Sequence, residues 1–237
     1  MENLEAVLFD LDGTLYDYNK CHEKGLESAY EYMEGKYDIP YDKFIDLYRK
    51  ARFENHKELV GSSSSHNRIH YFKRLLKLYN SKFKSDVVLD LYKAYYKGFF
   101  DGITTFKGVE ELFEELVDKG ISIGVVTNLN SRIQIEKIDK LGLSSFVDVF
   151  VTSEETSREK PHSSVFLLAL HRLDVSEEEV LMVGDDFEKD VKGALSVGID
   201  SVLLDKECEY GESSEQFEVV ESINEVGELI EKVFSEN

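Results

Sequence analysis

The chain has 237 residues, of which 42% are apolar, 32% charged and only two proline, so it can bury a sizeable core in one large or two modest domains. Its 28 basic and 48 acidic residues leave a formal charge of −20. That field repels nucleic acid and anionic membrane surfaces, and it requires an anionic substrate to meet local cations.

Residues 4–9 read as a short buried strand, Ala6-Val7-Leu8-Phe9, that runs into Asp10-Leu11-Asp12-Gly13-Thr14. From Tyr16 to about Phe100 apolar residues recur at steps of three and four: Leu26, Ala29, Tyr30, Met33; Phe44, Leu47, Tyr48, Ala51; Phe72, Leu75, Leu76, Tyr79; Val88, Leu91, Tyr92, Tyr95. That period predicts amphipathic helices, four in about 85 residues, interrupted by a loop at Gly61-Ser62-Ser63-Ser64-Ser65-His66-Asn67. The aromatic set Tyr92, Tyr95, Tyr96, Phe99 and Phe100 reads as packing first and substrate contact second. Arg68, after the serine run, reads first as an exposed loop arginine and second as a substrate contact.

From Gly108 onward helix and strand alternate. Helices are expected at 109–119, 133–141, 164–173, 191–197 and 223–234. Strands are expected at 121–126, 147–151, 180–183 and 201–204, with a weak one near Val219-Val220. Such alternation predicts an α/β doubly wound parallel sheet with helices on both faces. Residues 1–15 and 101–237 form its core domain and 16–100 an inserted helical domain. The stretch from Cys208 to Gln216 reads as a surface loop.

Ligands of open parallel sheets bind beyond the carboxyl ends of the strands. There stand Asp10-x-Asp12-Gly13-Thr14, then Thr127-Asn128, then Lys160-Pro161, then Gly184-Asp185-Asp186 with Asp190. Carboxylates gathered on one rim repel, by about 4 kcal/mol for a pair 4 Å apart at an effective dielectric of 20. A divalent cation removes that cost, and all-oxygen ligands point to Mg²⁺. An ionised aspartate can attack phosphorus, and a second one, partly protonated, can serve as acid and base. Thr127 and Lys160 read as donors to phosphate oxygens. Gly13 allows a sharp turn that exposes backbone N–H groups.

These four motifs, in this order and spacing, resemble those of the haloacid dehalogenase-like hydrolase superfamily over the whole chain. The resemblance implies a Rossmann-like core of five main strands ordered 5-4-1-2-3 and a helical cap of the first type. It implies Asp10 as nucleophile and metal ligand, and Asp12 as general acid/base lending its backbone carbonyl to the metal. Thr127 and Asn128 would hold the phosphoryl group, Lys160 would neutralise charge, and Asp185 would bind the metal. Asp186 or Asp190 would assist the metal or orient Lys160. The expected activity is Mg²⁺-dependent hydrolysis of a small phosphorylated metabolite through an aspartyl-phosphate. Phosphoglucomutase-like transfer, a dehalogenase-type reaction and a non-catalytic role are the alternatives. Substrate and oligomeric state stay open. Cys21 and Cys208 show no metal-type spacing, the start of the chain has no basic leader, and no apolar run reaches the roughly 18 residues of a membrane span; a cytoplasmic protein is expected.

Overall fold

The computed structural model describes residues 4–80, 82–208, 210, 213–214 and 217–235. The chain divides into two compact units, Met1–Asp17 with Thr104–Asn237, and Tyr18–Ile103.

The first unit is built on a parallel sheet. Strand β1 (Ala6–Phe9) is wholly buried, as an unbroken apolar run covered on both faces must be. Its neighbours are β2 (Ser122–Thr127) and β4 (Val180–Gly184). Beyond them lie β3 (Val149–Thr152), β5 (Asp200–Leu204) and β6 (Phe217–Val220), giving the order β3-β2-β1-β4-β5-β6. The expected five-strand order is present, extended by β6, which pairs parallel with β5 from Ser201↔Phe217 to Leu204↔Val220. Of the loop expected at 208–216, residues 209, 211, 212, 215 and 216 lie outside the described residues; Cys208 and Tyr210 are exposed.

Alternation along β1 sends Ala6 and Leu8 to one face and Val7 and Phe9 to the other. Leu8 joins Val126, Val151 and Met182 in a cluster with Phe166 and Ala169 of the helix α8 (Ser164–Leu173). Phe9 meets Phe113 of α5 (Val109–Asp118) with ring centroids 4.9 Å apart. Full burial of each such side chain contributes about 1.5–3 kcal/mol. The remaining helices of this unit are α6 (Ser131–Lys140), α7 (Ser153–Thr156), α9 (Lys192–Leu195) and α10 (Ile223–Ser235).

The helix expected at 191–197 differs. Phe187–Val191 form a π-helical turn, and α9 is one short turn after it. The turn draws Asp190 inward, where its Oδ2 accepts the Asp186 N–H at 3.0 Å. A 3₁₀ turn at Glu177–Glu179 and helix α7 were not expected, although each opens on a capping box, Ser176-x-x-Glu179 and Thr152-x-x-Glu155.

The second unit holds α1 (Tyr18–Tyr37), α2 (Tyr41–Glu58), α3 (Arg68–Leu78) and α4 (Ser85–Phe100). Tyr48, Tyr71, Phe72, Tyr95 and Phe99 fill its interior. Arg68 is only 5% exposed, not a surface loop residue. Among the described residues no helix is long and apolar enough to cross a membrane, and neither cysteine is in a disulfide.

Candidate active site

Register sets the site. Phe9 lies level with Val125 on one side and Val183 on the other. The residues just past these, Asp10, Thr127 and Gly184-Asp185, therefore emerge together at the point where successive strands leave β1 in opposite directions. Asp10 begins the loop with its N–H donated to Val183 O at 2.9 Å, which continues the ladder.

Asp10, Asp185 and Asp190 each bring a carboxylate oxygen within 4.8 Å of the others. Lys160 Nζ sits among them. It donates to Asp10 Oδ1 at 2.6 Å, Asp190 Oδ1 at 2.6 Å and the Val126 carbonyl at 2.7 Å. Thr14 Oγ1 donates to Asp185 Oδ1 at 3.1 Å and Asp10 Oδ2 at 3.3 Å. Two glycines make this closeness possible. A Cβ at Gly13, whose φ is +98°, would lie 2.2 Å from Asp185 Oδ2, and one at Gly184 would lie 2.4 Å from Asp190 Oδ2.

One ammonium does not balance three carboxylates. Burial raises the Asp10 carboxyl to about 7; Lys160 opposes the rise, and Asp190 and Asp12 add to it. Burial, then the charge of Asp10, raises Asp185 to about 6, against Lys206 and the Thr14 hydrogen bond. Asp190 is raised by burial as well. Lys160, whose burial favours the neutral amine, is driven well above its ordinary range by Asp10 and Asp190. A cluster that resists full ionisation on its own, with hard oxygen donors alone, fits a hard divalent cation. Asp10 and Asp185 are the carboxylates available to hold it, since Asp190 is committed to Lys160 and the Asp186 amide.

Asp12 points elsewhere. Both its oxygens take hydrogen bonds from Lys137 Nζ, at 2.5 and 2.7 Å. Tyr16 OH donates to Oδ1, and Gln134 Nε2 to Oδ2 at 3.2 Å. Burial would raise the Asp12 carboxyl, but Lys137, Tyr16 and Gln134 together hold it below the ordinary carboxylate range. Lys137 is 1% exposed and Gln134 wholly buried, both on α6. Neither was singled out in the sequence. The readable signal is spacing: Gln134, Lys137 and Ile138 share a face of α6 with buried Ile133, so a lysine lies on an apolar stripe.

Thr127 Oγ1 lies 2.5 Å from Gln134 Nε2. The Asn128 side chain is turned to the loop holding Lys160: its Oδ1 accepts the Lys160 N–H at 2.8 Å, and its Nδ2 reaches the Lys160 carbonyl at 3.4 Å. Asp186 is outside the acidic cluster. It caps the π-helical turn by accepting the Lys189 N–H at 3.0 Å, and it pairs with the Lys189 ammonium. Lys206, also unforeseen, donates to the Gly13 carbonyl and stands 4.6 Å from the Phe106 ring centroid.

A family model for haloacid dehalogenase-like hydrolases matches residues 7–204, the span from β1 to the end of β5. The chain belongs to that family. It is 39% identical over 235 residues to the ribulose-1,5-bisphosphate 5-phosphatase of Halopiger xanaduensis, covering 96% of this chain and 98% of that one. It is 31% identical over 201 residues to the glyceraldehyde 3-phosphate phosphatase of Methanopyrus kandleri, covering 85% and 84%. Among solved structures it is similar to a HAD phosphatase from Thermococcus onnurineus, with a TM-score of 0.72, 25% identity and coverage of 96% and 98%.

Proposed function

We propose that this hydrolase is a Mg²⁺-dependent phosphatase of a small phosphorylated metabolite, with Asp10 as its nucleophile. The observation that carries the reading is the cluster of Asp10, Asp185 and Asp190 around Lys160 at the end of the central strand. The relatives' phosphatase names support the same class. Asp10, Asp185 and the Asp12 carbonyl would hold Mg²⁺, which when bound neutralises charge on the cluster and on the phosphoryl oxygens.

The chain's own residues supply the rest. An Asp10 carboxylate oxygen attacks phosphorus, the bond from phosphorus to the ester oxygen breaks, and the leaving oxygen takes a proton. Water then attacks the aspartyl-phosphate, inorganic phosphate leaves, and the Asp10 carboxylate is regenerated. Held by Lys137, Asp12 is ionised, the form that takes a proton from the attacking water. To protonate the leaving oxygen it must first turn away from Lys137 and gain a proton. Lys160 keeps Asp10 aimed and offsets negative charge. Asn128 fixes the Lys160 loop, and Thr127, whose hydroxyl here donates to the Asn128 carbonyl, would turn it to a phosphoryl oxygen. The residues of 16–100 form the substrate-sorting domain, because the catalytic groups named here belong to residues outside it. The net negative charge disfavours nucleic acid as substrate.

The test is phosphate release from p-nitrophenyl phosphate and a metabolite panel with Mg²⁺ or with EDTA. Turnover that needs Mg²⁺ is expected. Absence of turnover on every ester, or turnover unaffected by EDTA, contradicts the reading.

A further inference from the structure

Gln134 is wholly buried in the first turn of α6. An apolar residue there would extend the stripe of Ile133 and Ile138 without the cost of burying an amide. Its place is fixed locally. Asn130 caps α6 by accepting the Ile133 N–H at 3.2 Å, and β2 ends at Thr127 just before that turn. Nε2 of Gln134 lies 2.5 Å from Thr127 Oγ1, 2.8 Å from the Asn128 carbonyl and 3.2 Å from Asp12 Oδ2. A carbonyl and an ionised carboxylate only accept, so they face the NH₂ of the amide and not its oxygen. Oε1 is left buried with no hydrogen-bond partner among the described residues. A bare buried acceptor is destabilising, so the three oxygens on the other side are what hold the amide this way round.

That orientation decides what Thr127 can do. An amide nitrogen has no lone pair to accept with, so in the 2.5 Å contact the hydroxyl oxygen accepts and its proton points elsewhere. Its acceptor here is the Asn128 carbonyl at 3.3 Å, a long bond to an oxygen that Gln134 already serves. The Thr127 oxygen is thus held while its proton is weakly engaged, and a hydroxyl in that state turns readily to a new acceptor. The amide is held in its turn by Asp12, both of whose oxygens Lys137 engages from one turn further along α6. Lys137, Asp12, Gln134 and Thr127 form a row in which each hydrogen bond fixes the next.

We propose that Gln134 is a positioning residue for phosphoryl transfer: its amide fixes the Thr127 hydroxyl as a donor to the phosphoryl oxygen. This rests on the phosphatase reading and deepens it. Thr127 is the group that would touch the phosphoryl group, and Gln134 acts through it.

The experiment measures kcat and KM on p-nitrophenyl phosphate and on an alkyl phosphate, for wild type, Gln134→Met, Thr127→Val and the double variant. Gln134→Met should lower kcat/KM by about 10-fold or more in wild type and by less than about threefold in the Thr127→Val background, where the hydroxyl it positions is gone. Equal losses in the two backgrounds, or wild-type kinetics in a folded Gln134→Met, overturn the proposal. The phosphoryl group is common to both esters, so the loss should be the same on each. A loss confined to the alkyl ester, whose leaving oxygen has the greater need of a proton, would place the effect on Asp12 and overturn the proposal too. Gln134→Leu takes the place of Gln134→Met if far-UV circular dichroism shows the latter unfolded. A second measurement needs no turnover. In EDTA, the side-chain ¹⁵N–¹H signals of Gln134, assigned by their loss in Gln134→Met, should include one proton shifted downfield, and Thr127→Val should abolish that shift. Signals that Thr127→Val leaves in place overturn the proposal. Should wild type hydrolyse neither ester, the phosphatase reading fails while these signals still decide whether Gln134 holds Thr127.

Discussion

The two units bury unbalanced charge of opposite sign. In the α/β unit, Asp10, Asp185 and Asp190 crowd around Lys160. In the helical unit, Arg68 stands among tyrosines, with no ion pair to a carboxylate among the described residues. Each arrangement costs stability as it stands. The difference is that the acidic cluster also carries its own partial counter-ion. Lys160 pairs with Asp10 and Asp190 and limits their repulsion, whereas Arg68 is held by neutral groups alone.

The sharpest way to break this contrast is at the acidic cluster. Asp10→Asn should lower kcat by about 10⁴-fold with the circular dichroism spectrum unchanged, because the amide keeps the shape and loses the nucleophile. Near-normal turnover would remove Asp10 from that role. Lys160→Met strips the cluster of its ammonium and should destabilise the protein by about 3–5 kcal/mol at pH 7 in denaturant titrations without metal. The loss should shrink at acid pH, where the carboxylates take up protons. A neutral effect at pH 7 would show that the carboxylates do not depend on that pair.

Lys137→Met tests the separate pair in the same unit. Asp12 loses its strongest partner, and kcat should fall by about 10–100-fold with little change in KM. Rescue by Lys137→Arg would tie the effect to charge. An unchanged kcat would leave Lys137 as packing alone.

Mg²⁺ affinity follows from the raised carboxyls. Asp10, at about 7, and Asp185, at about 6, must lose protons to hold a cation. Affinity measured by calorimetry should therefore rise about tenfold per pH unit between pH 6 and 7 and level off above. A flat profile contradicts it. The smallest effect concerns the metal-free protein. The folded Asp10 carboxyl keeps a proton up to about 7, while the unfolded one releases it near 3.8. Between those values the native state binds more protons, so stability falls as pH rises, and Asp10→Asn should flatten the slope.

Much of the acidic cluster was legible because its residues are tied to strand ends: a buried run stopping at Asp10, another at Gly184-Asp185, each aligned by register with Phe9. Asp190 was read as a neighbour of uncertain use, because a π-helical turn has no sequence signature that distinguishes it from the start of a helix. Lys137 and Gln134 escaped because a lysine near the end of an amphipathic helix is ordinarily solvated, and only its spacing from Ile133 argued otherwise. Arg68 was read as exposed because a serine-rich loop suggests solvent. Asn55 and Asn67, twelve residues apart, pin that loop and start α3 through side-chain hydrogen bonds that no periodicity reveals. Strand β6 follows a polar stretch and is short, which is why it read as weak.

Trapping the covalent intermediate tests the central claim most directly. Enzyme turning over substrate with Mg²⁺ is quenched and treated with sodium borodeuteride, which reduces an acyl phosphate to a deuterated alcohol. Peptide mass spectrometry should place the label on residue 10 and nowhere else. Label at another carboxylate, or none from an enzyme shown to be releasing phosphate, would contradict an aspartyl-phosphate on Asp10.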